Sequence, residues 1–337
     1  MKKKIYFLIL ILMCVLATGC GKKKEEEKAE PTPTPIPEPV EVVDIYDMNS
    51  NERSFGVVIN NTPVAIKVQE GLNKAYIVYE FPTEGNTTRL MAMYRGIDKL
   101  NIGTVRSARH YFMDYAFEND AIFVHFGQSH YALDEFSKNG INHINGWAGD
   151  KGFWRSNPEN LASEHTAYTS IENLKSTASS KGFRLTSDTK PTIKYNVGDV
   201  NLSEYENNKE AKKIVLNYGS SNKEELRYNE ETTTYDRYFN GNKAVDYKTK
   251  EVVSFDNIIV TLVGYSMTSD NYYWNLKNTG SGNGYYLTNG YSIPIKWSKS
   301  SRNSRTTYTL ENGEELEVSD GNTLIALFIQ GRSLVIE

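Results

Sequence analysis

The chain begins with a positive patch followed by one apolar run. Lys2, Lys3 and Lys4 precede residues 5–16, a twelve-residue apolar stretch. Crossing a hydrocarbon core takes about 20 residues, so this run has the length of a signal-peptide core instead. It leads into Leu16-Ala17-Thr18-Gly19-Cys20, small residues before a cysteine, which has the form of a bacterial lipobox with Ala17 where Leu is commoner. The alternative is an ordinary secretory signal cleaved at A-x-G. On the lipobox reading, residues 1–20 are a lipoprotein signal and Cys20 becomes the lipid-modified first residue. Residues 21–50 then read as a tether: Lys22–Lys24, Glu25–Glu27, and five of the ten prolines at every second position from Pro31 to Pro39. Such a stretch buries no core and stays extended.

Beyond the tether the pattern changes twice. From about residue 54 to 182, short apolar runs alternate with helical spacing. Residues 55–59, 75–81, 88–94 and 121–126 read as strands. Residues 107–117, 131–138 and 166–180 read as helices, the second closed by Asn139-Gly140 and the third by Gly182. From about residue 211, β-branched and aromatic runs are punctuated by Asn240-Gly241, Gly282-Asn283, Asn289-Gly290, Asn312-Gly313 and Gly321-Asn322, the pattern of antiparallel hairpins. The expected fold is α+β overall. An N-terminal α/β domain with a mixed sheet spans 51–185, and a mostly-β sandwich or open barrel spans 186–337. The polar stretch 183–210 is the expected boundary.

Composition narrows the function. The 337 residues carry a net charge of −4, and removing Lys2–Lys4 with the signal leaves 35 basic against 42 acidic residues, or −7. An acidic chain does not suit nucleic acid as its main partner. With Cys14 lost in the signal, the two cysteines leave no disulfide scaffold and no cysteine zinc site. No H-E-x-x-H and no calcium loop is present, so neither metal nor cofactor is expected.

All five histidines fall between His110 and His165, in the N-terminal half. The sharpest local feature is Gly103-Thr-Val-Arg106-Ser107-Ala-Arg109-His110. With Ser107 as the N-cap of the following helix, Arg106 and Arg109 would stand at its positive end, and together with the backbone amides they would make a carboxylate or phosphate receptor. The competing reading pairs Arg106 or Arg109 with an internal acid such as Glu80 or Glu84. A second strand-to-helix step, His125-Phe-Gly127-Gln-Ser129-His130, lies where an open sheet usually binds its ligands. There Ser129 is an N-cap or a ligand contact, and it is no nucleophile elbow because Tyr131 stands where glycine is needed. Candidate ligand residues are therefore Glu84, Arg89, Arg106, Ser107, Arg109, His110, His125 and Ser129, with none assigned to catalysis. Asp236, Arg237 and Asp246 read as turn and cross-strand partners. The stretch through Tyr272, Tyr273, Trp274, Tyr285, Tyr286 and Tyr291 reads as cross-strand pairs, or as an exposed surface for sugar rings.

These residues resemble a known family. Val58-Ile-Asn60-Asn61, Ile77-Val-Tyr-Glu80, Glu84-Gly85, Val105-Arg-Ser-Ala-Arg109, His125-Phe-Gly127, Phe153-Trp154-Arg155, Glu164-His165 and Tyr235-x-Arg237-Tyr238 are similar to the YerB-like lipoproteins of Gram-positive bacteria. The family pattern usually has Pro where Thr104 stands, Gly where Asn86 stands and Pro-His-Asn where Glu164-His165-Thr166 stands. The resemblance implies a lipoprotein with an α/β and a β domain, and no established activity. The expected role is a non-catalytic binding module on the outer face of the cell membrane, anchored through Cys20, for an anionic envelope ligand or a cell-wall synthesis protein. The alternatives are an enzyme acting on phosphorylated envelope lipids or glycans, and a structural scaffold.

Overall fold

The structure is a computed structural model that describes residues 50–337. The signal segment, Cys20 and, apart from Ser50, the tether lie outside the described residues. In the N-terminal half the strands are β1 (Phe55–Asn61), β2 (Ile77–Pro82), β3 (Thr88–Tyr94), β4 (Asn101–Gly103), β5 (Ile122–His125), β6 (His143–Asn145), β7 (Phe153–Arg155) and β8 (Ala167–Ser170). Three helices accompany them: α1 (Met113–Glu118), α2 (His130–Asn139) and α3 (Ile171–Ser180). Next come β9 (Lys194–Tyr195), β10 (Lys209–Glu210), β11 (Lys213–Gly219), β12 (Asn222–Asn229), β13 (Thr234–Phe239), β14 (Asn242–Lys243) and β15 (Ser254–Phe255). The remainder are β16 (Asn257–Met267), β17 (Trp274–Lys277), β18 (Gly280–Thr288), β19 (Tyr291–Lys299), β20 (Thr307–Thr309), β21 (Glu317–Val318), β22 (Thr323–Ile329) and β23 (Leu334–Ile336).

A large mixed sheet organises these elements, in the order β10-β19-β18-β16-β22-β2-β3-β1-β5-β6. The contacts β1–β5, β5–β6, β2–β22 and β16–β22 are parallel. β22 lies between β2 and β16, so the sheet takes strands from both halves of the chain. Every residue of β1, β2, β3 and β22 is buried, as expected of strands covered on both faces. Alternate side chains feed two cores. Ile77, Tyr79 and Phe81 pack with Phe112, Tyr115 and Phe136 of the helical side. Val57, Ile59 and Val78 pack on the opposite face with α3 residues and with Ile214, Leu216, Leu226 and Tyr235. Those last four belong to a second sheet of order β14-β13-β12-β11-β23, all antiparallel. The class is α+β, with a mixed sheet and an antiparallel one.

Local signals held where the chain supplied its own partners. Ser129 caps α2, its Oγ accepting from Ala132 N at 3.2 Å, and Gly140 closes the helix at φ 62°. Two helix expectations need correction. Residues 107–109 are not helical, and Ser107 caps nothing. The chain remains extended through Arg109 and only then turns through a short 3-10 segment, His110–Phe112, into α1. The reason is backbone pairing. Asn60 N donates to Thr104 O and Arg106 N to Val58 O, while Phe126 N donates to Arg106 O and Ala108 N to Gly127 O. An amide already bonded to a strand is lost to a helix. Likewise Ala167–Ser170 pairs with β4 and β7, so α3 begins only after Ser170, whose Oγ accepts from Asn173 N. The polar segment 183–210 is also more than a spacer, since Ile193, Val200 and Leu202 enter the core and β9 pairs with β21. Most of the aromatic stretch is structural: Tyr286 and Trp274 are buried, and Tyr272 is exposed.

Candidate functional site

Arg106 and Arg109 diverge. In an extended segment side chains alternate, so positions three apart face opposite sides, whereas on a helical turn they would share one. Arg109 points inward. Its Nε donates to Glu84 Oε2 at 2.9 Å, its Nη2 bonds Glu84 Oε1, and its guanidinium lies 5.1 Å from the Tyr273 ring. Arg89 joins the same carboxylate at 3.6 Å and donates to Ser107 O at 2.8 Å. Burial would push the Glu84 carboxyl up, but the Arg109 hydrogen bonds and both guanidinium charges hold it below its ordinary value. Burial and the neighbouring Arg109 push Arg89 down to about 9, which leaves it charged at neutral pH. Glu84, Arg89 and Arg109 are thus a closed ion cluster beneath the surface.

Arg106 points outward. Its Nη1 donates to Glu164 O at 3.2 Å and its Nη2 to Glu164 Oε1 at 3.0 Å. The Glu164 side chain is 55% exposed, and Arg106 Nε is buried and has no hydrogen-bond partner among the described residues. Around Arg106 lies a cleft of about 380 Å³ lined by Ser107, Gly127, Gln128, Trp147, Arg155 and Glu164, among others. It sits where the parallel strands β5 and β6 end, the edge at which an open sheet most readily presents loops to a ligand. Arg155 donates to Thr166 Oγ1 at 3.1 Å, bonds Ser163 O, and holds its guanidinium 4.5 Å from the Phe126 ring. The Ser107 hydroxyl makes no hydrogen bond among the described residues.

One residue ties the two loops of the cleft together. Asn145 Oδ1 accepts from Gly127 N at 3.0 Å and from Trp147 N at 3.1 Å, and Asn145 Nδ2 donates to Gln128 Oε1 at 2.8 Å. Gly127 has φ 80°, a left-handed conformation that glycine adopts without strain. At Gly146 a Cβ would fall 2.5 Å from Phe126 Cδ2 and 2.7 Å from Phe153 Cγ, so only glycine lets this turn approach its aromatic floor.

The other expected residues lie elsewhere. His125 is fully buried, its ring stacked on Phe136 and nearly coplanar with that of His143, edge to edge. Gly127 O can only accept, so His125 Nδ1 carries the proton it donates at 2.8 Å, and Nε2 accepts from His143 Nδ1 at 3.0 Å. Burial pushes the His125 imidazole down to about 3. His110 Nε2 pairs with Asn275 Oδ1 at 2.8 Å, and burial lowers its pKa. Ser129 serves as the α2 cap. Of the eight candidates, the cleft receives Arg106 and Ser107. Of the other lining residues, Gln128 lies inside the step from His125 to His130 and Arg155 inside the Phe153-Trp154-Arg155 motif, neither of them expected as a ligand residue, and Trp147 has no signal in the sequence beyond its residue type. Arg237, expected as a turn or cross-strand residue, is fully buried. It donates to both Glu224 oxygens at 2.6 and 2.9 Å, to Asn61 Oδ1 at 2.7 Å and to Gln69 Oε1 at 3.1 Å.

Residues 43–184 match the N-terminal domain, and residues 214–325 the C-terminal domain, of the family described as "Protein of unknown function (DUF3048)". The chain belongs to the DUF3048 family. The DUF3048 chain is 28% identical over 290 residues to the "Putative lipoprotein YerB" of Bacillus subtilis (strain 168), covering 85% of this chain and 81% of that protein. It is also similar to the crystal structure of the YerB protein from Bacillus subtilis, with a TM-score of 0.72 at 27% identity, over 84% of this chain and 94% of that one. The two DUF3048 domains share the large sheet: β2 of the first pairs in register with β22, which enters the second at its C-terminal end.

Proposed function

We propose that this chain is a lipid-anchored extracytoplasmic binding module, without catalysis, whose Arg106 cleft takes an anionic ligand of the cell envelope. The observation that carries the reading is the contrast between two neighbouring arginines. Arg109 closes both of its fork positions on one carboxylate beneath the surface, whereas Arg106 holds an exposed one through a single carboxylate oxygen, spends its other Nη on the Glu164 carbonyl, and has a buried Nε without a partner among the described residues. A bidentate anion would satisfy Arg106 better than Glu164 does. Arg155 adds a second guanidinium and Ser107 a free hydroxyl at the same cleft. The extracytoplasmic address rests on the lipobox-like sequence ending at Cys20 and on the name of the Bacillus subtilis relative.

The test is calorimetric titration of the detergent-solubilised full chain with inorganic phosphate, glycerol phosphate and acidic oligosaccharides, each with and without magnesium. Binding of at least one anion that is lost in Arg106→Ala, needs no magnesium and leaves the anion chemically unchanged is expected. Turnover of the anion would replace the binding role with an enzymatic one.

A further inference from the structure

Trp147 is the most exposed of the large apolar side chains among the described residues, at 72%. A single exposed apolar side chain is ordinary on a protein surface, but this indole lines the same cleft as Arg106 and Arg155 and offers there a flat, amphipathic face for stacking. This one is also held in place. Its backbone amide is fixed by Asn145, and its ring meets Phe126 edge to face at 6.1 Å and 78°. Gly146 draws the same turn against Phe126 and Phe153. A preorganised aromatic platform binds with little loss of side-chain freedom.

We infer that the ligand of this cleft is an acidic saccharide, its pyranose ring stacked on Trp147 and its carboxylate held by Arg106. The inference rests on the binding role proposed above and names the chemistry of the ligand. Inorganic phosphate would use the arginines and leave the indole bare. A neutral sugar would use the indole and leave the Arg106 fork on Glu164. A carboxylated ring uses both, and the remaining lining, Ser107, Gln128 and Arg155, offers partners for ring hydroxyls. A volume of about 380 Å³ accommodates one or two rings. Glu164 then acts as a resident carboxylate that the ligand displaces, and its exposed side chain is free to swing into solvent.

The experiment compares an oligoglucuronate, chitotetraose, inorganic phosphate and glycerol phosphate by calorimetry and tryptophan fluorescence. The full chain is compared with Trp147→Ala, Arg106→Ala and Glu164→Gln, each first shown to retain the wild-type circular dichroism spectrum. The oligoglucuronate should bind at least tenfold more tightly than either chitotetraose or phosphate. Trp147→Ala and Arg106→Ala should each weaken it tenfold or more, and Glu164→Gln should tighten it severalfold. If phosphate or glycerol phosphate binds in an Arg106-dependent way and the oligoglucuronate does no better, the saccharide inference falls and the anion-binding role stands. The saccharide inference falls alone, too, if Trp147→Ala binds the oligoglucuronate as well as wild type, or if chitotetraose matches it. If no anion shows Arg106-dependent binding, both readings fall.

Discussion

Arg109 and Glu84, 25 residues apart in sequence, form a two-pronged ion pair whose side chains are only 7% and 12% exposed. Removing Arg109 leaves the Glu84 carboxylate with only the 3.6 Å contact to Arg89, a loss that approaches the cost of about 3–5 kcal/mol for breaking a buried pair. Arg106, three residues earlier, pairs with a carboxylate that is mostly in water, and exposed pairs contribute about 0–1 kcal/mol. Chemical denaturation should therefore separate Arg109→Ala, strongly destabilised, from Arg106→Ala, near wild type. Equal losses would contradict the division between cluster and cleft.

A second buried network joins the two halves of the chain. Asn61 Nδ2 donates to Glu80 Oε1 at 3.2 Å, Tyr218 Oη to Glu80 Oε2 at 3.2 Å, and Arg237 bridges Glu224 and Asn61. Burial, and then the charge of Glu224, pushes the Glu80 carboxyl up to about 8. The folded state therefore keeps a proton that the unfolded chain releases above its ordinary value of 4.5, and this contribution to stability falls as pH rises from there toward 8. Glu80→Gln, neutral throughout, should be less stabilised by acid and should gain on wild type as pH rises through that window. Parallel stability curves for the two proteins would exclude a protonated Glu80.

His125 has the opposite sign. Its folded value near 3 lies below the ordinary 6.5, so the unfolded chain takes up the proton first and stability falls as pH drops through that interval. In a histidine-selective NMR titration the His125 ring should stay neutral, with its proton on Nδ1, down to about pH 4. A His125 midpoint near neutrality would place the ring outside the core.

For the anchor, Cys20→Ala should release the chain from membranes or leave an unprocessed precursor, read by fractionation and intact mass. A variant still membrane-bound and trimmed at residue 20 would overturn the lipobox reading.

Much of the fold was legible because its signals are local. Short apolar runs marked β1 to β3, Ser129 and Gly140 bracketed α2, and Asn-Gly pairs marked hairpins such as β18–β19. These need only neighbours a few residues away. The site was half legible: Arg106 and Ser107 stood out by charge and motif, Arg155 appeared only within the Phe153-Trp154-Arg155 motif, and Trp147 did not stand out at all.

Residue order alone was enough for the α+β class, the family and the presence of an arginine-rich turn. Where those arginines go depended on long-range pairing. Residues 104–108 bond along β1 and to the loop after β5, so a segment with helix-like spacing is held extended, and a period of two sends Arg106 and Arg109 to opposite sides. Pairing between distant strands also set β22 between β2 and β16 and buried Arg237 between the halves. No short-range pattern encodes such contacts, because their partners lie on other strands and loops, well outside the few residues over which local periodicity and turn signals act.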